Sequence, residues 1–250
     1  MTSIELEIKL LHMLITDMTM QEFEAGLAIS RTVIVPFGSI EEHGSHLPLG
    51  TDTFHAYELA KLTATLTKVF VMPPVWYGLC RSTSQHPGTI GIASPALREL
   101  VMSMCRSMYA QGLRQFVLIS GHAGGTHMAT ILDSADNLIE ELPDAGFAVL
   151  SILDLIAGLP DGLIETPEDA HAGEVETSLM QFLKPELVTG TSSREFPEFP
   201  KFIIVRDKLR YWPGGVWGDP SKASKAKGQR ILKEEARLLA ELVKKLRDIR

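Results

Sequence analysis

An α/β fold built on a mostly parallel sheet is predicted by three features of this sequence. Four short apolar runs, at 32–35, 69–72, 116–119 and 147–152, are spaced along the chain and read as strands. Helical patterns at 55–66, 95–110, 130–141, 174–182 and 223–246 separate or follow them, the alternation that βαβ units require. No repeat, low-complexity tract or linker interrupts the 250 residues, and 45% of them are hydrophobic. One sizeable core and a single domain over 1–250 are therefore expected.

Taken in order, the elements have local causes. The N-terminal stretch places Glu5, Glu7 and Lys9 among its apolar residues, so it lacks the clean apolar core of a secretory signal. Thr19 with Glu22 has the spacing of a capping box and should start a helix. The run at 32–35 stops at Pro36 and Gly38, the signature of a buried strand entering a loop. Pro87-Gly88 marks a turn in the loop before the helix at 95–110, where Cys105 is a small buried residue. The run at 116–119 passes directly into Ser120-Gly121-His122, and Glu174 is a first-turn acid suited to the helix dipole. In the last helix Ile231, Leu232, Leu238, Leu239, Leu242, Val243 and Leu246 share one side, which should dock on the sheet or a neighbouring subunit. Lys222, Lys225, Lys227 and Arg230 at its start read as a solvated face.

Charge and composition exclude some functions. A net charge of −7 with no larger basic cluster argues against nucleic acid, whose binding needs grouped cations. No stretch is apolar enough to span a membrane, so a cytoplasmic protein is expected. Its two cysteines, Cys80 and Cys105, need not pair. Cys80 has no histidine motif beside it to activate it as a nucleophile.

The chemistry concentrates in Pro36-Phe37-Gly38-Ser39-Ile40-Glu41-Glu42-His43-Gly44-Ser45-His46-Leu47-Pro48-Leu49-Gly50-Thr51-Asp52. In an extended segment Glu41 and His43 project to one side while Glu42 turns away. Gly44 and Gly50 let the chain double back, returning Asp52 to the same spot. Two carboxylates and an imidazole suit a divalent cation. His122 brings a second imidazole to a strand's carboxyl end, where open α/β sheets build their sites, and is a better ligand candidate than His127. His171 and Glu176 flank a helix start. The 77–89 segment reads as a pocket rim: Ser84, His86, Gly88 and Thr89 could hydrogen-bond a polar ring, and Arg81 could meet an anionic group.

These residues also carry a family resemblance. Gly38-Ser39-Ile40-Glu41-Glu42-His43-Gly44 with His46-Leu47-Pro48 and Asp52, then His86-Pro87-Gly88-Thr89, Ser120-Gly121-His122 and His171-Ala172-Gly173-Glu174-Val175-Glu176-Thr177-Ser178, resemble the creatininase (creatinine amidohydrolase) family. Gly215-Val216-Trp217-Gly218-Asp219-Pro220, with Ala223 and Gly228, resembles its C-terminal signature. The resemblance implies a three-layer αβα sandwich, a homo-oligomer (a hexamer) and two divalent metals per chain. Zinc would come first, with manganese or iron accepted. It implies that Glu41 and His122 bind one metal, His43 the other, and that Asp52 bridges them. A metal-activated water would then attack a small-molecule amide. His171 would shuttle the proton, with Glu176 orienting it or entering the metal shell.

Two departures bear on the substrate. Where creatinine-hydrolysing members carry a ligand glutamate two residues after the histidine, this chain has Gly124, a turn more like that of deformylases and cofactor-pathway amidases. The tryptophan that covers creatinine is also missing, because Glu165-Thr166-Pro167-Glu168 holds no aromatic. The expectation is an amidohydrolase of a small polar cyclic or formyl amide, not creatinine. The alternatives are a deformylase or peptide-trimming amidase of a cofactor pathway, and a non-catalytic metal-binding assembly protein.

Overall fold

Residues 13–249 are described by a computed structural model; Glu5, Glu7 and Lys9 lie outside the described residues. Helix α1 (Met20–Leu27) opens with the expected capping box, in which Thr19 accepts from the Glu22 N–H while Glu22 accepts from the Thr19 N–H. There follow β1 (Thr32–Phe37), α2 (Thr51–Leu66), β2 (Phe70–Val71), α3 (Ser94–Ala110), β3 (Gln115–Ser120) and α4 (Gly125–Glu141). Then come β4 (Gly146–Ser151), α5 (Ile152–Ile156), α6 (Glu174–Leu183) and α7 (Lys225–Asp248). The sheet is parallel throughout, in the order β2-β1-β3-β4.

Strand pleating divides the core in two. Val33, Val35, Phe37, Phe116 and Leu118 face one side with Leu97, Val101 and Cys105 of α3 and Ile131 and Leu138 of α4. Ile34, Val117 and Ile119 face the other with Leu59 of α2, Val175 and Leu179 of α6, and Ile231, Leu239 and Val243 of α7. Because both faces are covered, the strands are nearly continuous apolar runs, as parallel sheets require. The result is a three-layer αβα sandwich. The apolar stripe of α7, including partly buried Leu238 and Leu242, docks on this second layer.

Several boundaries differ from the sequence reading. Helix α2 begins at Thr51 rather than 55, so Asp52 enters on a first helical turn and not on a loop doubling back. Helix α4 begins at Gly125 rather than 130. β4 ends at Ser151 because Ser151 and Asp154 form a capping box that turns Ile152 into α5. Lys227 does not sit on a solvated face. Its ammonium donates to Glu165 at 3.0 Å and to the buried Glu174, whose carboxylate also accepts from the Glu165 and Thr166 N–H groups.

His55 of α2 and Glu235 of α7 meet at 2.7 Å, both fully buried. Burial disfavours the imidazolium, but the Glu235 carboxylate outweighs it and raises His55 above its ordinary value. Glu235→Ala is expected to cost about 3–5 kcal/mol by leaving a buried charge unpaired, whereas His55→Leu with Glu235→Leu should cost much less. Since the folded value is raised, the pair's contribution is full below the unfolded value of about 6.5 and fades as pH rises through the folded one. Urea unfolding of wild type and double variant at several pH values checks both statements.

Candidate metal centre

β1 and β3 lie side by side, yet the chain leaves β1 for β2 on the opposite edge, so a topological switch point falls between them. Their in-register ends, Phe37 beside Ser120, release Gly38–Ser39 and Gly121–His122 into the same crevice. Gly121 is required there: a Cβ would lie 2.1 Å from the Asp52 carbonyl oxygen. That close approach seats the first turn of α2 against the β3 exit and delivers Asp52.

Asp52 stands between two groups of donors. Its Oδ1 lies 3.0 Å from His43 Nε2 and its Oδ2 3.3 Å from His122 Nδ1, while Ser39 donates to Oδ2 at 2.6 Å. On one side Glu41 Oε2 is 2.7 Å from His122 Nδ1, and Thr83 donates to Glu41 Oε1. On the other, Glu176 Oε2 is 3.6 Å from His43 Nε2, and the His171 ring lies 4.2 Å from that of His43. Donor atoms of Glu41, Cys80 and His122 fall within 4.8 Å of one another, as do those of His43, His171 and Glu176. Glu41 and His43 therefore serve two adjacent clusters, where an extended strand would have aimed them at one.

Backbone carbonyls set the tautomers. His43 Nδ1 is 3.0 Å from the Glu41 carbonyl and His122 Nε2 is 3.2 Å from that of Leu79, so those N–H groups donate. Each ring then turns its other nitrogen toward the carboxylates, the orientation of metal-ligating imidazoles. His127 is spent on structure: Nδ1 accepts from the Leu79 N–H and Nε2 donates to Ser120. Burial and the neighbouring His122 push it down to about 3.

The electrostatics favour positive charge. Burial opposes ionisation of Glu41 and Asp52, but His122 and His171 hold Glu41 below its ordinary range, and His43 and His122 hold Asp52 well below its own. Burial likewise opposes the imidazolium forms. Asp52 and Glu176 nonetheless raise His43 to about 10, and Glu41 and Asp52 raise His122 well above normal. Three carboxylates that draw protons onto buried imidazoles form a donor set that fits divalent cations.

A cavity of about 300 Å³ opens on this cluster, lined by His122, Gly124, His171, Glu176, Trp212 and Trp217 among others. Ser84, His86, Gly88 and Thr89 do not line it. Ser84 and Thr89 border a separate hollow with Arg81 and Lys208; Thr89 accepts from the Glu42 N–H; His86 donates to the Trp212 carbonyl; Gly88 packs on Leu49. His171 Nε2 is held by the Glu42 carbonyl at 2.8 Å, with Glu42 Oε1 at 3.4 Å. Glu42 thus does not turn away, and it rather than Glu176 contacts His171 Nε2. Trp212 had no sequence signal, and Trp217 entered only within the C-terminal signature, with no role at the site. The 212–217 segment reaches it through reciprocal backbone hydrogen bonds between Trp217 and His171. Cys80 and Thr83 of the 77–89 segment do reach the cluster, and Ser39, which had been given no role, donates to Asp52. The Cys80 thiol is pushed up by burial, Glu41 and Asp52, which removes it as a free nucleophile near neutral pH.

At the switch point of its parallel sheet, this αβα protein thus carries two adjacent carboxylate–imidazole clusters whose donors could hold cations. The family model described as creatinine amidohydrolase matches residues 16–243, and the chain belongs to the creatininase family. It is 32% identical to the mycofactocin precursor peptide peptidase of Mycolicibacterium smegmatis, over 85% of this chain and 84% of that protein. It is 28% identical to the creatinine amidohydrolase of Pseudomonas putida, over 86% and 90%. A mutant creatininase of the Zn-Zn type superposes with a TM-score of 0.84 at 26% identity, covering 93% of this chain and 97% of that one. A manganese creatininase does so at 0.83 and 25%, covering 93% and 98%. Among the described residues no helix is long and apolar enough to cross a membrane.

Gly124 explains one departure physically. A Cβ there would sit 2.5 Å from His122 Nε2, so any side chain displaces the ring from Leu79. Gly124→Ala is expected to weaken metal binding by about 10–100-fold while leaving the fold intact. Equilibrium dialysis against zinc, with circular dichroism as the control, checks this.

Proposed function

We propose that this creatininase-family hydrolase is a metal-dependent amidohydrolase cleaving the C–N bond of a small polar amide. The observation that carries the reading is the bidentate reach of Asp52, one oxygen toward His43 and the other toward His122. Glu41, Asp52 and His122 would hold one cation, and His43, Asp52 and Glu176 the second. When bound, such a pair polarises an amide carbonyl and lowers the pKa of water toward neutrality.

The chain's own residues supply the rest. Glu176 arrives from α6 to provide the carboxylate that position 124 lacks, held by the Ala172 N–H at 2.5 Å. Burial and His43 lower His171, but Glu42 and the carboxylates of Glu41 and Glu176 raise it overall. With Nε2 engaged by Glu42, Nδ1 is the atom that gives a proton to the departing nitrogen. Helix α4 starts at the cavity's edge, where its positive end favours the developing oxyanion. Trp212 and Trp217 exclude water from one wall.

Within this chemistry, formyl or cyclic amides fit a cavity of about 300 Å³. A second reading, trimming of a peptide end, is favoured by the 32% identity to a precursor peptide peptidase. The retained donor set argues against a purely structural member.

Purified protein is expected to hold about two divalent ions per chain, and Asp52→Ala to lose both because the bridge serves each shell. Elemental analysis reads this directly. Against N-formyl amines, cyclic ureides, creatinine and short peptides, Asp52→Ala should lower turnover of the best substrate by more than about 100-fold. Creatinine should be among the poorest substrates; its rapid hydrolysis, or full activity without metal, would overturn the proposal.

A further inference from the structure

We infer that Cys80 is a ligand of the cation held by Glu41, Asp52 and His122, giving that centre a thiolate donor and a preference for zinc over manganese. The inference rests on the two-cation reading above and goes beyond it, since nothing in that chemistry requires a sulfur.

Position is the first argument. The Sγ of Cys80, a carboxylate oxygen of Glu41 and a ring nitrogen of His122 lie within 4.8 Å of one another, and all three residues are buried. One cation can contact three donors so spaced after small side-chain movements. The second argument is how the thiol is held. Leu79, its neighbour, donates its N–H to His127 and accepts from His122, and Gly78 accepts from the Ile92 N–H at 2.9 Å. The backbone that orients His122 is therefore the same backbone that presents Cys80. A backbone shift that carried Cys80 away from the cluster would also release the imidazole. Gly78 lets this segment press against the β1 exit, where a Cβ would be 2.8 Å from the Gly38 carbonyl oxygen.

The chemistry then follows. Binding is a proton-for-metal exchange: the S–H bond breaks, the proton leaves to solvent, and the sulfur electron pair forms a bond to the cation with no change of oxidation state. A bound divalent ion deprotonates a coordinating thiol outright. Carboxylate and imidazole alone accept zinc and manganese alike, whereas thiolate selects the softer ion. Cys105, the other cysteine of the chain, provides the contrast. It lies in α3 in the apolar layer with Leu97, Val101 and Ile131, and it belongs to neither donor cluster.

Cobalt(II) is the probe, because a thiolate ligand adds an intense near-ultraviolet charge-transfer band to the visible ligand-field bands. In Cys105→Ala, where Cys80 is the sole thiol, cobalt loading is expected to give both features. In Cys80→Ser with Cys105→Ala the ligand-field bands should remain and the charge-transfer band vanish. Zinc–manganese competition should show the zinc preference falling by about tenfold or more in Cys80→Ser. Ligand-field bands without a charge-transfer band in Cys105→Ala would overturn the role of Cys80 and leave the two-cation reading standing. Failure of cobalt to bind with any dependence on Asp52 would sink that reading itself. Should Cys80→Ser fold poorly, the Cys105→Ala spectrum decides alone.

Discussion

The structure depends on one electrostatic constraint: Glu41, Asp52 and Glu176 are buried together, and their charges must be met from within the crevice. Isolated carboxylates removed from water would protonate or disrupt the fold. Here His43 and His122 answer them, each fixed by a main-chain carbonyl so that one nitrogen always faces an acid. The imidazoles are drawn toward the cationic form by the very groups they stabilise. A pocket that pulls protons this strongly is built around the expectation of positive charge, and cations satisfy it with more bonds than protons do.

Meeting that constraint takes the whole sandwich. β1 and β3 set the spacing of Glu41 and His122 through their paired ends. Helix α2 supplies Asp52, and it is braced from behind by the buried His55–Glu235 contact with α7. Helix α6 supplies Glu176, and its start is anchored by Asp169, whose carboxylate accepts from the N–H groups of Glu174 and Val175. Each donor thus comes from an element, or from the loop directly after one, whose position is fixed by packing far from the cavity. This is the arrangement that holds a site to the tolerance its chemistry needs.

Much of this was legible in the sequence, and the limits have physical causes. The apolar runs marked the strands because a parallel sheet buried on both faces leaves no polar alternation to blur them. Glu41, His43, Asp52 and His122 stood out because acids and imidazoles at strand exits have few structural reasons to be there. The start of α2 was misplaced because Gly50, Thr51 and Asp52 resemble turn residues, and only docking against Gly121 shows why a helix begins among them. Trp212 and Trp217 were invisible as site residues because they reach the cavity by a backbone bridge to His171 across a long separation, which no local period encodes. Of the 77–89 rim, Ser82 and Thr83 line the cavity while Ser84, His86, Gly88 and Thr89 lie outside its lining, for a related reason. A turn rich in hydrogen-bonding groups can equally satisfy the protein's own backbone, as Thr89 does for Glu42.

The turn at position 124 is bare, yet three carboxylates, Glu41, Asp52 and Glu176, still line the cavity. A side chain at 124 would crowd His122 from the cavity side, whereas Glu176 reaches His43 from α6 and leaves the turn at 124–125 bare. Gly124 and Gly125 line the cavity next to His122. The 165–168 stretch offers no aromatic cover, whereas Trp212 and Trp217 line the cavity. Trp212 meets His171 edge-on at 5.2 Å, so the ring assigned to proton transfer is packed by the same wall that shapes the substrate's entry. Glu41, His43, Asp52 and His122 thus stay together beside a cavity whose turn at 124 is bare and whose aromatic wall comes from Trp212 and Trp217.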